Sequence, residues 1–149
     1  MRLRRPAIML AALWWGGLSA LAFVAVPMLF ATLDSPALAG PMAARLFTVL
    51  AWGTLLIGVV LLVLLRQPRP GDNLPSPEAL TLIGVVLFAM LLALLQEFAV
   101  AQRIVTARAS GGNLRLWHGV GSALVLGQWL ASGAVLWRLT EPVKPAQPG

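Results

Sequence analysis

Cysteine and tyrosine are absent from this chain, histidine occurs once, and five acidic residues stand against eleven basic ones. Without cysteine, disulfides, thiolate nucleophiles, iron–sulfur clusters and thioether-linked haem are excluded within the chain. With His118 alone, bis-histidine haem is excluded, as are zinc sites that need several such ligands from one chain. No Gly-x-Ser-x-Gly nucleophile turn or paired-carboxylate hydrolase pattern occurs, and Ser110-Gly-Gly-Asn113 lacks the lysine and spacing of a phosphate-binding loop. Charge is scarce too: 11% of residues are charged and 59% are hydrophobic, too little polar surface to cover a water-soluble fold of this size.

What fills the chain instead is four apolar stretches free of Asp, Glu, Lys and Arg, over Pro6–Leu33, Leu46–Leu65, Ala79–Gln96 and Leu116–Trp137. Each is about as long as the roughly 20 residues of α-helix that cross a bilayer core. Barrel strands are shorter and alternate apolar with polar. Backbone groups in hydrocarbon must be satisfied within each segment. The fold class is therefore all-α, a polytopic membrane four-helix bundle, with the lipid bilayer as its first partner. The net charge of +6 comes from residues at span ends rather than one continuous face, which points to lipid phosphate and away from nucleic acid. All basic residues but Lys144 are arginine, a bias expected of GC-rich codons and a bacterial source. The basic start and Ala37-Leu-Ala-Gly40 superficially match a cleaved secretory signal. The apolar run is too long for one, so it is expected to stay as the first membrane helix.

The spans are expected at about residues 7–33, 41–65, 77–106 and 114–139, in one domain over 1–140, with a Pro-rich disordered tail over 141–149. Pro27 should bend the first helix. Pro41, just after Gly40, is placed as the first residue of the second, and Ser76-Pro77-Glu78 opens the third with an N-cap, a first-position proline and an acid. On a four-span arrangement one side holds Arg2, Arg4, Arg5, Arg66, Arg69, Arg138 and Lys144, and the other Arg45, Arg103, Arg108 and Arg115. The heavier side is expected to be cytoplasmic, placing both termini in the cytoplasm and the chain in the bacterial inner membrane.

Polar residues inside this framework gather at the lighter-charged end. Glu97 falls on an Ala89, Ala93, Glu97, Ala101 row, a close-packing face on which an ionised acid needs a partner. Arg103 lies about 9 Å along the same helix and off that face, so Arg45 or His118 from another helix is the expected partner. Arg115, His118 and Ser122 share a face of the fourth helix. The candidate polar site is thus Glu97, His118, Arg45, Arg103, Arg115 and Ser122, read either as a structural ion pair that locks the bundle or as a proton, cation or substrate site. His118 is open to a hydrogen-bonded structural role or to titration. No catalytic set, resident metal site or cofactor is expected. Small residues mark helix packing: Gly16 and Gly17 beside Trp14 and Trp15, Ala89 and Ala93, and a strict i+4 row of Gly119, Ala123, Gly127 and Ala131. That row fits either an internal contact with the third helix or another protomer.

Leu13-Trp-Trp-Gly-Gly17, Val26-Pro-Met-Leu-Phe30 and Ala39-Gly40 resemble the opening of the bacterial family called domain of unknown function 4149, itself similar to the eukaryotic transmembrane protein 205 group. The second half agrees, with an arginine-bearing end of the third helix and then Leu116-Trp-His-Gly119 with Ser122, similar to a His-Gly-x-x-Ser pattern of that group. The asparagine expected one turn later is replaced by Val125 and Leu126. The resemblance implies a four-helix membrane protein without a settled activity. Three functions stay open: non-enzymatic solute or ion handling or a membrane accessory role, a redox or metal- or haem-associated component using Glu97 and His118, and a structural subunit of a homo-oligomer or larger membrane complex.

Overall fold

The computed structural model describes residues 4–67 and 74–141. Four helices long and apolar enough to cross a membrane make up the fold: α1 (Arg4–Thr32), α2 (Pro36–Leu65), α3 (Pro77–Ser110) and α4 (Leu114–Thr140). Among the described residues there is no strand. The polar linker expected over residues 67–77, between the second and third spans, lies mostly outside the described residues, as does the tail beyond Glu141. Each helix packs on its two neighbours in a ring, α1 on α2 and α4, α3 on α2 and α4, with short turns joining α1 to α2 and α3 to α4.

The boundaries follow local chemistry. Ser76 accepts from the Ala79 N–H at 3.3 Å with Pro77 next to it, and Asn113 accepts from the Leu116 N–H at 3.0 Å. α3 ends on Gly111, which sits at φ 73°; that left-handed turn favours glycine, and Gly112 N–H then closes onto the Ala107 carbonyl at 2.8 Å. One boundary corrects the sequence reading. α2 starts at Pro36, not Pro41, because extended Ser35 already places Pro36 in the first turn, where its missing N–H costs nothing. Pro41 is then carried inside the helix. α1 starts at Arg4, before residue 7, and α3 reaches Ser110, past residue 106.

Two wide turns interrupt the long helices. In α1, Leu21–Ala25 form a π-turn in which the Val26 N–H bonds back to the Leu21 carbonyl, immediately before Pro27. The turn spans Phe23, whose carbonyl, four residues before Pro27, is the one a proline ring clashes with in a regular helix. In α3, Gln96–Val100 form the second, with the Ala101 N–H on the Gln96 carbonyl. No proline accompanies it.

The buried seam advances by alternating steps of four and three. It runs through Ala7, Ala11, Trp14 and Leu18 on α1, through Leu82, Val86, Ala89, Ala93, Gln96 and Val100 on α3, and through Gly121, Val125, Gln128, Ser132, Val135 and Leu139 on α4. That average of 3.5 residues keeps one stripe facing a partner along a nearly parallel helix pair. Polar residues tie the seam together. The Trp14 indole N–H donates to Thr54 Oγ1 at 3.0 Å, and Trp129 donates to Ser19 Oγ at 2.9 Å while stacking on Trp15 at 5.8 Å between centroids. The paired tryptophans of α1 are thus both engaged within the fold.

At the end where α1 begins and α4 finishes, the Arg4 guanidinium donates to the Leu139 carbonyl at 2.9 Å and also to the Glu141 carbonyl. A cation there meets the negative end of the α4 dipole. Arg4→Gln is expected to lower stability by about 0.3–1 kcal/mol, read as a lower unfolding midpoint in detergent micelles.

Candidate functional site

Glu97 is the one acid placed among the packed helices away from the turns and helix starts. It is half-buried, and both its oxygens accept from the Thr48 hydroxyl of α2, Oε1 at 3.1 Å and Oε2 at 3.0 Å. Neither expected partner reaches it: Arg45 and His118 are both exposed, and among the described residues no basic group lies within ion-pair distance of this carboxylate. The reason is angular. Four residues turn an α-helix by about 400°, so each step of the Ala89, Ala93, Glu97 row slips roughly 40° around the axis. Ala89 and Ala93 are fully buried, but by Glu97 the row has turned off the centre of the seam toward α2.

Gln96 takes the central position instead. It is buried, and its amide packs where α4 has no side chain: a Cβ on Gly121 would lie 3.4 Å from Gln96 Nε2. The π-turn starts at this residue, and single wide turns of this kind recur at functional sites. The sequence shows Gln96 only as the end of the third uncharged stretch, and neither it nor Thr48 is among the candidate site residues read from it. The available signal was that Thr48 and Thr54 carry the hydroxyls of the otherwise apolar Leu46–Leu65 run.

The remaining candidates scatter over the surface of the same end. Arg103 lies over the Trp117 ring, 5.4 Å from its centroid, bracing α3 to α4 by a cation–π contact. Arg108 lays its guanidinium against Gly40 of α2, so closely that a Cβ there would stand 2.8 Å from Nη2. His118 and Ser122 are exposed and make no side-chain hydrogen bond among the described residues, so the hydrogen-bonded structural histidine is not what the fold forms. Arg115 lines a shallow open notch of about 520 Å³ on the outside of α4 with Asn113, Leu116, Gly119, Val120 and Ala123. Among the described residues, no three His, Cys, Asp or Glu side chains come together as a metal-binding set.

The small-residue rows divide in the same way. Gly127 packs inward on Leu92, and Ala131 is buried. Gly119 and Ala123 are exposed, and a Cβ added at Gly119 would meet no other helix within 4 Å among the described residues. A strict i+4 row therefore starts outside the bundle and ends inside it, for the angular reason that displaces Glu97. A Cβ added at Gly16 or Gly17 would likewise meet no other helix within 4 Å among the described residues.

What the arrangement can do chemically is limited and specific. A carboxylate inside an apolar bundle, held by one hydroxyl and not neutralised by a fixed cation, can take up a proton or a mobile cation. Neither the curated proteins nor the solved structures contain a match to this chain. A family model described as domain of unknown function (DUF4149) matches residues 9–113, and it ends where Asn113 caps α4, so the Leu116-Trp-His-Gly119 pattern lies beyond it. With most of α1 and all of α2 and α3 inside that match, the chain belongs to the domain of unknown function 4149 family.

Proposed function

We propose that this chain is a non-enzymatic bacterial inner-membrane protein that handles an ion at Glu97, with both termini in the cytoplasm. The observation that carries the reading is the Glu97 carboxylate, set among packed helices with Thr48 Oγ1 as its donor and no basic partner among the described residues. Ionisable groups in membrane spans are expensive and are kept where a mobile charge visits them. The orientation rests on the excess of arginine at the end where Arg4 meets α4.

Purified protein in vesicles, under an imposed proton, sodium or potassium gradient, is expected to carry one of these ions above protein-free vesicles. Glu97→Gln should bring that flux down to the protein-free level. Wild-type flux retained by the variant, or no flux from the wild type, overturns the reading. Topology is testable separately because the native chain is cysteine-free: Asp34→Cys should react with a membrane-impermeant thiol reagent on intact spheroplasts, and Gln67→Cys only after permeabilisation.

A second reading, assembly into a homo-oligomer or larger membrane complex, is favoured by the exposure of Gly119 and Ala123, small residues of the kind that let membrane helices approach closely. Gly119→Leu is then expected to lower the oligomeric state in native mass spectra while leaving the thermal unfolding of the fold unchanged.

A further inference from the structure

Beside Glu97 lies a pair of aromatic rings that the fold does not bury. Trp52 of α2 and Phe98 of α3 meet edge-on across the two helices, with centroids 6.5 Å apart and planes at 85°. Both belong to membrane spans, and they are 56% and 58% exposed, so they face lipid. An edge-on contact covers at most one face of each ring, which leaves π-faces free. Helix geometry ties this pair to the acid. Trp52 follows Thr48 by four residues, which sets their Cβ atoms about 5–6 Å apart on one side of α2, and Thr48 Oγ1 holds the two Glu97 oxygens at 3.1 and 3.0 Å. Phe98 is the residue after Glu97. Helical side chains lean toward the N-terminus of their helix, so Trp52 leans toward Thr48, while Arg45, on the other side of Thr48, leans away from it. A polar and an aromatic contact thus join α2 to α3 within about one helical turn.

Resting on the ion-handling reading of Glu97, we propose that Glu97, Trp52 and Phe98 bind a lipophilic organic cation of the quaternary ammonium or phosphonium class, reached from the lipid, which competes at Glu97 with the small ion. Each feature of the groove matches such a ligand. Its charge calls for a carboxylate without a fixed counter-cation, and among the described residues Glu97 has no basic partner. Its alkyl or aryl groups carry it into lipid, where Trp52 and Phe98 are exposed. A ring face attracts a cation within about 6 Å of its centroid, and more strongly once water is removed. A hard divalent ion instead demands a converging shell of about six or more oxygens, whereas the groove offers one carboxylate and one hydroxyl already donating to it. A bulky organic cation has no tight hydration shell to replace, so one acid and two rings suffice. Because one carboxylate balances one charge, the organic cation and the small ion occupy Glu97 in turn.

The experiment is equilibrium dialysis of tetraphenylphosphonium against the protein in detergent micelles, corrected for uptake by protein-free micelles. Saturable binding is expected, lost in Glu97→Gln and weakened about 2–30-fold in Trp52→Leu, the range of one cation–π contact. Trp52 is exposed, so Trp52→Leu should keep the wild-type unfolding midpoint, which separates loss of the ring from misfolding. Tetraphenylborate, of the same shape and opposite charge, should show no saturable binding. Absent phosphonium binding, full binding by either variant, or equal binding of the borate would overturn the site. The small ion identified by the flux assay should displace the phosphonium, and undiminished binding at a saturating concentration of that ion would overturn the competition. No phosphonium binding beside a flux that Glu97→Gln abolishes would sink this inference alone, whereas undiminished flux in Glu97→Gln removes the reading beneath it.

Discussion

Trp14→Ala is expected to destabilise the bundle by about 3 kcal/mol, the low end of the range for truncating a large buried aromatic. The low end applies because helices already in lipid gain little from burying apolar surface, so the loss is one of packing contacts and a cavity rather than of transfer from water. Trp14 is 2% exposed, and its ring fills the space between α1 and α2 with Nε1 on Thr54 Oγ1. Trp14→Phe keeps most of that volume and removes only the interhelical hydrogen bond, so its cost should be about 0.6–1.7 kcal/mol. Thr54→Val leaves the indole N–H buried without an acceptor, and combining it with Trp14→Phe should cost less than the two changes summed. Unfolding by sodium dodecyl sulfate in mixed micelles measures all four. Equal losses for Trp14→Ala and Trp14→Phe would mean that the ring is not a core element.

Gly127→Leu is expected to damage the isolated protomer, with a loss of about 1–3 kcal/mol from overpacking. Even a Cβ at Gly127 would lie 2.8 Å from Leu92 Cδ1. That atom is the end of a flexible side chain, so Gly127→Ala is expected to be accommodated by a small rotation of Leu92, while a leucine adds three further carbons beyond the Cβ that already meets Leu92. The two readings that the i+4 row leaves open differ here, since a contact with another protomer would have Gly127→Leu break an assembly and spare the monomer. Gly58 follows the same logic across α2 and α3, where an added Cβ would meet Met90 Sδ at 2.6 Å. Thermal unfolding of monodisperse protein in detergent distinguishes the outcomes: an unchanged midpoint for Gly127→Leu would place this glycine on an outer surface.

The four spans were legible because length and the lack of charge suffice to define a membrane helix. The helix start at Ser76-Pro77 was legible because its capping chemistry is local. Which face of each helix turns inward was not, for a reason particular to lipid. Leu56, Leu87 and Leu130 are exposed while Leu18 and Leu61 are fully buried, so hydropathy is the same on both sides of the helix. Small size and isolated polarity mark the inside instead, as Ala11, Ala89, Thr54, Gln128 and Ser132 show. Reading rows at i+4 alone found Ala89 and Ala93 and then drifted off the seam at Glu97 and at Gly119, where alternating steps of four and three would have held it. The Glu97 site was half legible: the acid stood out by its charge, whereas its partner was sought among cations because charge is conspicuous in a sequence and a lone threonine hydroxyl is not.

The outer part of α1, from Leu21 to Thr32, buries no side chain. In evolutionary terms that length of helix is constrained by solubility in lipid rather than by shape. Val24, Met28 and Phe30, all exposed, can drift among apolar residues of any size without registering in the core, while Phe23, edge-on to Trp129 at 5.5 Å, and Ala7, Ala11 and Leu18, one helix stretch earlier, cannot. Two regimes of sequence change therefore meet at the wide turn before Pro27, within a single membrane span.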